Sequence, residues 1–266
     1  MKVYIFSDME GVAGIEEFDH RTDPSYANVM LRKRNQHLLT QELNAAAAGA
    51  FDGGADEVVI KMGHADSILY EELDERVTFI RKGTTWLQGI DEGVDACFFV
   101  GSHSRAGTPD GVLEHTWSRS VKGWFVNGLE LGELGICALI AGCYGIPYVF
   151  HSGDTASCRE AEELIPGVVT AVVKKGYGLH SAAHLSKERA RALIREKAQQ
   201  AMVRIGEIAP FTIEPGPASP FYVFRQVAYR GERTVSDNGT DKRVTAPDTV
   251  EYYGDDLLAV LRRGTY

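Results

Sequence analysis

The residues best suited to chemistry in this chain are acids and histidines set at the ends of apolar runs. Asp8 and Glu10 follow Lys2 to Ser7, a β-branched and aromatic run that ends abruptly in Asp-Met-Glu-Gly. His64 closes the run Asp56 to Met62, DEVVIKM, and His103 closes Asp95 to Val100, DACFFV. Glu133 opens Gly132 to Tyr144, GELGICALIAGCY, which has the small and apolar content of a buried helix. Carboxylates and imidazoles form a mixed oxygen and nitrogen donor set. Such a set suits a pair of zinc- or manganese-type ions better than Mg²⁺, which prefers oxygen and retained water. Asp8 and Glu10 stand two apart at a strand end, so their side chains leave on one face and can share ions roughly 3.5–4 Å apart.

Each residue also has an ordinary explanation. An acid at a strand end is often a turn or cap residue, a loop histidine a surface group, and a first-turn glutamate an answer to the helix dipole. The metal reading gains because Asp8, His64 and His103 all close buried-type strands at the same edge. Their spacing is far less specific than HExxH.

A second feature is Gly101 to Thr116, GSHSRAGTPDGVLEHT. His115 is suited by type to proton transfer near neutral pH, or is a loop histidine beside Glu114. Arg105 either binds a substrate carboxylate or satisfies neighbouring acids such as Asp110. Ser102-His103-Ser104 lacks the GxSxG elbow of a serine nucleophile. GVAG at Gly11 to Gly14 is neither GxGxxG nor GxxxxGK[ST], so the dinucleotide and P-loop readings fail.

The elements that must position these residues alternate between strands and helices. The expected fold is α/β, a mostly parallel open sheet with flanking helices, plus a smaller α+β domain. Besides the strands above, Val77 to Ile80 is a short candidate, and Arg32 to Phe51 a long helix stopping at Gly53-Gly54. Trp124 to Leu131 alternates around Asn127-Gly128, a hairpin signal. Ile146 to His151 and Val168 to Val173 read as strands. Between them lies a helix capped by Thr155 and ending at Leu164, with Glu160, Glu162 and Glu163 outward. His180 to His184 reads as a polar joint, and Ser186 caps a helix to about Ile205. Pro210 to Pro220 holds four of the nine prolines and reads as a loop. Phe221 to Tyr229 and Val250 to Tyr253 are strands, and Asp255 to Arg262 a last helix. The expected division is a metal-binding domain over 1–175 and a smaller one over 176–266, with the hairpin region 117–132 available to either.

Composition narrows the function. Hydrophobic residues make up 44% and charged residues 24%, ordinary for a globular protein. A net charge of -9 argues against a nucleic-acid surface. The longest apolar-rich stretch, Gly135 to Phe150, is broken by Gly142, Gly145 and Pro147, too soon for a membrane span. MKVYIFS at the start has no signal-peptide series of regions. Cys97, Cys137, Cys143 and Cys158 lack CxxC spacing and read as buried free thiols, so the expected location is cytoplasmic.

SDMEGVAG at Ser7 to Gly14, the His64 strand end, GSHSRAGTPDGVLEHT, NGLELGELG at Asn127 to Gly135 and IPYVFHSGD at Ile146 to Asp154 together resemble one family. This is the zinc-dependent D-aminopeptidases of the bacterial dipeptide-transport type. The resemblance covers Met1 to Val173 and, more loosely, the rest. It implies an aminopeptidase acting on short peptides with N-terminal D-amino acids, through two Zn²⁺ ions per subunit. By motif position the ligands are Asp8, Glu10, His64, His103 and Glu133, with Asp8 bridging, and His115 is the catalytic histidine. It further implies a large self-compartmentalising homo-oligomer, often a decamer. Three departures from the family pattern leave all five ligands in place but bear on substrate preference. Met62-Gly63 stands for the family's Asp-Ser, Asp154-Thr155 for a double Asp, and Lys175 to His180 for a tyrosine- and arginine-bearing stretch. A non-catalytic peptide-binding accessory protein and a metallohydrolase of another amide or ester are the alternatives.

Overall fold

The apolar runs that end on acids and histidines become the parallel strands of a central sheet. In the computed structural model these are β1 (Lys2–Ser7), β2 (Glu57–Met62), β3 (Thr78–Ile80) and β4 (Ala96–Ser102), with α1 (Tyr26–Asp52) between β1 and β2. A hairpin of β5 (Val121–Val126) and β6 (Leu129–Leu131) precedes α2 (Glu133–Cys143), β7 (Tyr148–Asp154), α3 (Thr155–Leu164) and β8 (Val169–Gly178). The remainder forms β9 (Ser181–His184), α4 (Lys187–Val203), β10 (Tyr222–Ala228), β11 (Lys242–Ala246), β12 (Thr249–Gly254) and α5 (Leu257–Gly264). The structure describes residues 1–20, 22–215, 222–228, 242–246 and 248–265, with 242–246 as backbone alone. The expected loop residues 216–220 and the expected strand ends Phe221 and Tyr229 lie outside these.

Seven strands form the larger sheet in the order β3-β2-β1-β4-β7-β8-β9, all parallel except β9, which runs against β8. Chain order reverses between β1 and β4, so the crevice at their carboxyl ends is the topological switch point where such sheets bind ligands. Every residue of β4 and β7 is buried, which requires cover on both faces. Helix α1 packs on α4, while α2 packs on α3 and α5. Tyr4, Phe6, Phe98, Phe99, Tyr148 and Phe150 fill the core along the strands. The smaller sheet is antiparallel throughout, in the order β11-β12-β10-β5-β6. It therefore takes the hairpin from the first half of the chain. Asn127 (φ 49°) and Gly128 (φ 88°) make the left-handed pair that a two-residue hairpin turn requires.

Several expectations are corrected. Helix α1 begins ahead of Arg32, because Ser25 accepts a hydrogen bond from the Asn28 amide and caps it. The cap of α3 is Asp154, whose Oδ1 accepts the Ser157 amide at 2.7 Å, and Thr155 is its first residue. Residues 181–184 are not a joint but an edge strand, since β8 runs on to Gly178 and the chain turns back to pair β9 antiparallel with it. Glu160 is buried rather than outward, where it accepts the Arg105 and Gly132 amides at 2.9 and 3.2 Å. Cys97, Cys137 and Cys158 are buried free thiols as expected, but Cys143 is exposed. Among the described residues, no helix is long and apolar enough to cross a membrane.

Candidate metal centre

The switch point brings Asp8, Glu10, His64, His103, His115 and Glu133 together. Their convergence depends on how tightly the ends of β1 and β4 interlock. The Asp8 amide donates to the Val100 carbonyl at 2.9 Å, and the Gly11 amide to the Gly101 carbonyl at 2.8 Å. A Cβ on Gly11 would lie 2.0 Å from the Ser102 carbonyl oxygen, and one on Gly101 (φ 75°) 2.2 Å from that of Asp8. Only glycine permits this approach.

Asp8 sits at the middle of the cluster. Its Oδ1 accepts the Met9 amide at 2.8 Å and lies 3.3 Å from His64 Nδ1, while Oδ2 lies 3.1 Å from His103 Nε2. One carboxylate thus spans two imidazoles. Glu10 Oε2 is 3.1 Å from His64 Nδ1. Glu133, in the first turn of α2, places Oε1 3.4 Å from His103 Nε2 and 3.9 Å from His115 Nε2. The same oxygen accepts the Trp117 amide at 2.8 Å, which fixes its direction. Donor atoms of Asp8, Glu10 and His103 fall within 4.8 Å of one another, as do those of His103, His115 and Glu133. His64 Nδ1 lies beside the first of these groups, within 3.3 Å of both Asp8 and Glu10.

The state of His103 tests the fit to a metal. It is 2% exposed, and its Nδ1–H donates to the Ser104 carbonyl at 3.0 Å, which leaves Nε2 facing the carboxylates. Nε2 is close to two carboxylate oxygens yet has no hydrogen bond to either. Once that nitrogen gives up its proton, its lone pair and the acceptor oxygens share one space that a divalent cation matches, so the donor set fits one. Asp19 Oδ1 lies 3.3 Å from the far nitrogen of His64, and Asp19 Oδ2 3.1 Å from Arg32 Nε. A carboxylate behind a ligating histidine orients its ring and raises its basicity.

Electrostatics here is a contest between burial and mutual attraction. Burial opposes charge on His103, but Asp8 and Glu133 outweigh it and hold the imidazole well above its ordinary value. His64 is raised in the same way, against burial, by Glu10, Asp19 and Asp8. Burial would raise Glu10 and Glu133, but His64 holds the first well below the usual carboxylate range and His103 lowers the second. Without a cation the cluster therefore stays together as buried ion pairs.

His115 stacks on His103 with ring centroids 3.9 Å apart and planes 13° from parallel. Its Nδ1–H donates to the Leu113 carbonyl at 2.9 Å, so Nε2 faces the centre unprotonated when the ring is neutral. Leu113 (φ 54°) and Trp117 (φ 63°) bracket it in left-handed conformations. Both are tied down, Leu113 through its amide to the Leu179 carbonyl at 2.9 Å and Trp117 through Glu133. An open cleft of about 820 Å³ begins at His115, with Phe18 and Leu179 among its lining residues.

Of the sequence candidates, Arg105 turns away. Its guanidinium lies 3.6 Å from Glu130 and 3.7 Å from Glu160, while Asp110 pairs with Arg159 at 2.8 Å. Lys174 and Asp19 escaped the sequence reading. The buried Lys174 ammonium donates to the carbonyls of Glu10, Val12 (3.1 Å) and Ile15 (2.7 Å) and so holds the loop that carries Glu10. A lysine directly after the apolar-rich run Val168 to Val173 was its available signal.

Fold and site together define a doubly wound α/β protein with a buried carboxylate–imidazole centre of the kind that holds divalent cations. The chain belongs to the M55 peptidase family, described as D-aminopeptidase, whose model matches residues 1–262. It is 31% identical over 264 residues to the D-aminopeptidase of Bacillus subtilis (strain 168), across 97% of this chain and 93% of that one. The solved structure of the Zn-dependent D-aminopeptidase DppA from Bacillus subtilis, described as a self-compartmentalizing protease, matches with a TM-score of 0.84 and 28% identity. That match covers 98% of this chain and 94% of the other. This is a D-aminopeptidase-like hydrolase.

Proposed function

We propose that the chain is a zinc-dependent aminopeptidase that removes N-terminal residues, D-amino acids in particular, from short peptides. The observation that carries the reading is His103 Nε2, buried between the carboxylates of Asp8 and Glu133 with no aligned hydrogen bond among the described residues. Asp8, Glu10, His64, His103 and Glu133 would hold two ions, and the two Asp8 oxygens face different imidazoles. Zinc, when bound, supplies Lewis acidity, which polarises a carbonyl and makes water nucleophilic near neutral pH. His115 Nε2 would accept the proton released in attack and return it to the leaving amine. The Leu113 carbonyl holds that imidazole in place, and Asp19 holds His64. The carboxylates of the centre would receive the substrate's terminal ammonium, which favours exopeptidase action.

The D-preference and the zinc are taken from the Bacillus subtilis relatives, as is self-association into a closed homo-oligomer, for which the family resemblance implies a decamer. Light scattering on the purified protein measures the last. The activity is tested by offering zinc-loaded protein a panel of D- and L-dipeptides, acyl amides and phosphoesters. Cleavage of D-dipeptides ahead of the others is expected. Stoichiometric dipeptide binding without cleavage would instead favour an accessory binding protein.

A further inference from the structure

The cleft beyond His115 carries a cation that the catalytic reading does not use. Arg119, just ahead of β5, lines it together with Phe18, Glu114 and Lys122. Arg119 is exposed, and among the described residues it makes no hydrogen bond or ion pair; its guanidinium carbon sits 5.3 Å from the Phe18 ring centroid. Phe18 in turn meets the His115 ring edge-on, with centroids 5.8 Å apart. Two such steps put the guanidinium within about three extended residues of the imidazole. Glu114, the acid on the same wall, accepts the Gly107 amide at 2.6 Å. Arg105 is taken up by Glu130 and Glu160, and Arg32 by Asp19.

We infer that Arg119 binds the free terminal carboxylate of a di- or tripeptide substrate, an inference that rests on the aminopeptidase reading. A peptide with its amino end at the carboxylates of the centre and its scissile carbonyl beside His115 must leave along the cleft. One or two residues further on, its carboxylate reaches Arg119. A guanidinium resting on an aromatic face keeps its forked edge open, and that edge matches a carboxylate with two parallel hydrogen bonds. Arg119 is thus a specificity residue that selects short, free-acid peptides over amides.

The test compares D-alanyl-D-alanine with its C-terminal amide on zinc-loaded wild type, Arg119→Gln and Arg119→Lys. Wild type should prefer the acid. Arg119→Gln should reduce the acid-to-amide ratio of kcat/KM by roughly 10- to 100-fold, the loss expected for a hydrogen-bonded charge, and do so chiefly through KM. Arg119→Lys should restore part of the preference, because it keeps the charge without the fork. A ratio left unchanged by Arg119→Gln overturns the role of Arg119 while leaving the peptidase reading intact. Wild type that cleaves neither compound overturns both.

Discussion

Two buried nitrogens define the centre in opposite ways. His103 Nε2 is buried without a hydrogen bond among the described residues, whereas Lys174 Nζ is saturated by three carbonyls of the Glu10 to Ile15 loop. Replacing Lys174 with Met removes the donor and leaves those carbonyls short of a partner. A loss of roughly 3–5 kcal/mol in unfolding free energy is expected, with weaker zinc binding because Glu10 is no longer held. Chemical denaturation and zinc titration measure the two effects. Only a stability loss, with zinc affinity unaltered, would show that Lys174 does not position Glu10. His115 should behave differently. His115→Ala is expected to lower kcat by about 10²- to 10⁴-fold while the protein keeps its metal. Loss of zinc from that variant would make His115 a ligand, as its place in the second donor group allows.

At the scale of elements, legibility in the sequence followed local signals. Asp8, His64 and His103 were visible because each follows a run apolar enough to be a buried strand, and Asn127-Gly128 because one hairpin turn demands that pair. The supporting residues were not, because their partners are remote. Asp19 acts on His64, and Lys174 on carbonyls more than 150 positions earlier in the chain. Glu160 read as solvent-facing among acids until the Arg105 and Gly132 amides accounted for its burial.

The β1–β4 interlock makes Gly11→Ala informative, since its Cβ would meet the Ser102 carbonyl. A stability loss of about 1–3 kcal/mol is expected from such overpacking, with zinc affinity at least tenfold lower as Asp8 and Glu10 move relative to His103. Isothermal titration reads that affinity, and an unchanged value would contradict the interlock. Glu42 joins α1 to the same loop by accepting the Ala13 amide at 3.0 Å, and burial pushes its carboxyl from 4.5 up to about 7. The unfolded chain therefore releases this proton at lower pH than the folded one. Stability falls as pH rises from 4.5 toward 7, then levels off, a loss on the order of 3 kcal/mol. Glu42→Gln removes that slope. Urea unfolding of the metal-free forms should show the variant gaining on wild type between pH 5 and 7.5, and a constant difference would contradict the buried, protonated state.

On the scale of the whole molecule, two sheets divide the labour. The parallel sheet supplies Asp8, His64 and His103 at its switch point, while α2, which follows the hairpin of the antiparallel sheet, supplies Glu133. Residues from distant parts of the chain thus meet only in the folded protein, so metal binding at this centre would be coupled to folding. The most direct test is to remove all metal, verify its absence by elemental analysis, and titrate zinc back while following D-dipeptide hydrolysis. Two zinc ions should bind per chain, with activity absent at the start and restored as they load. Full hydrolysis by verified metal-free protein, or no zinc uptake at all, would contradict the metal centre.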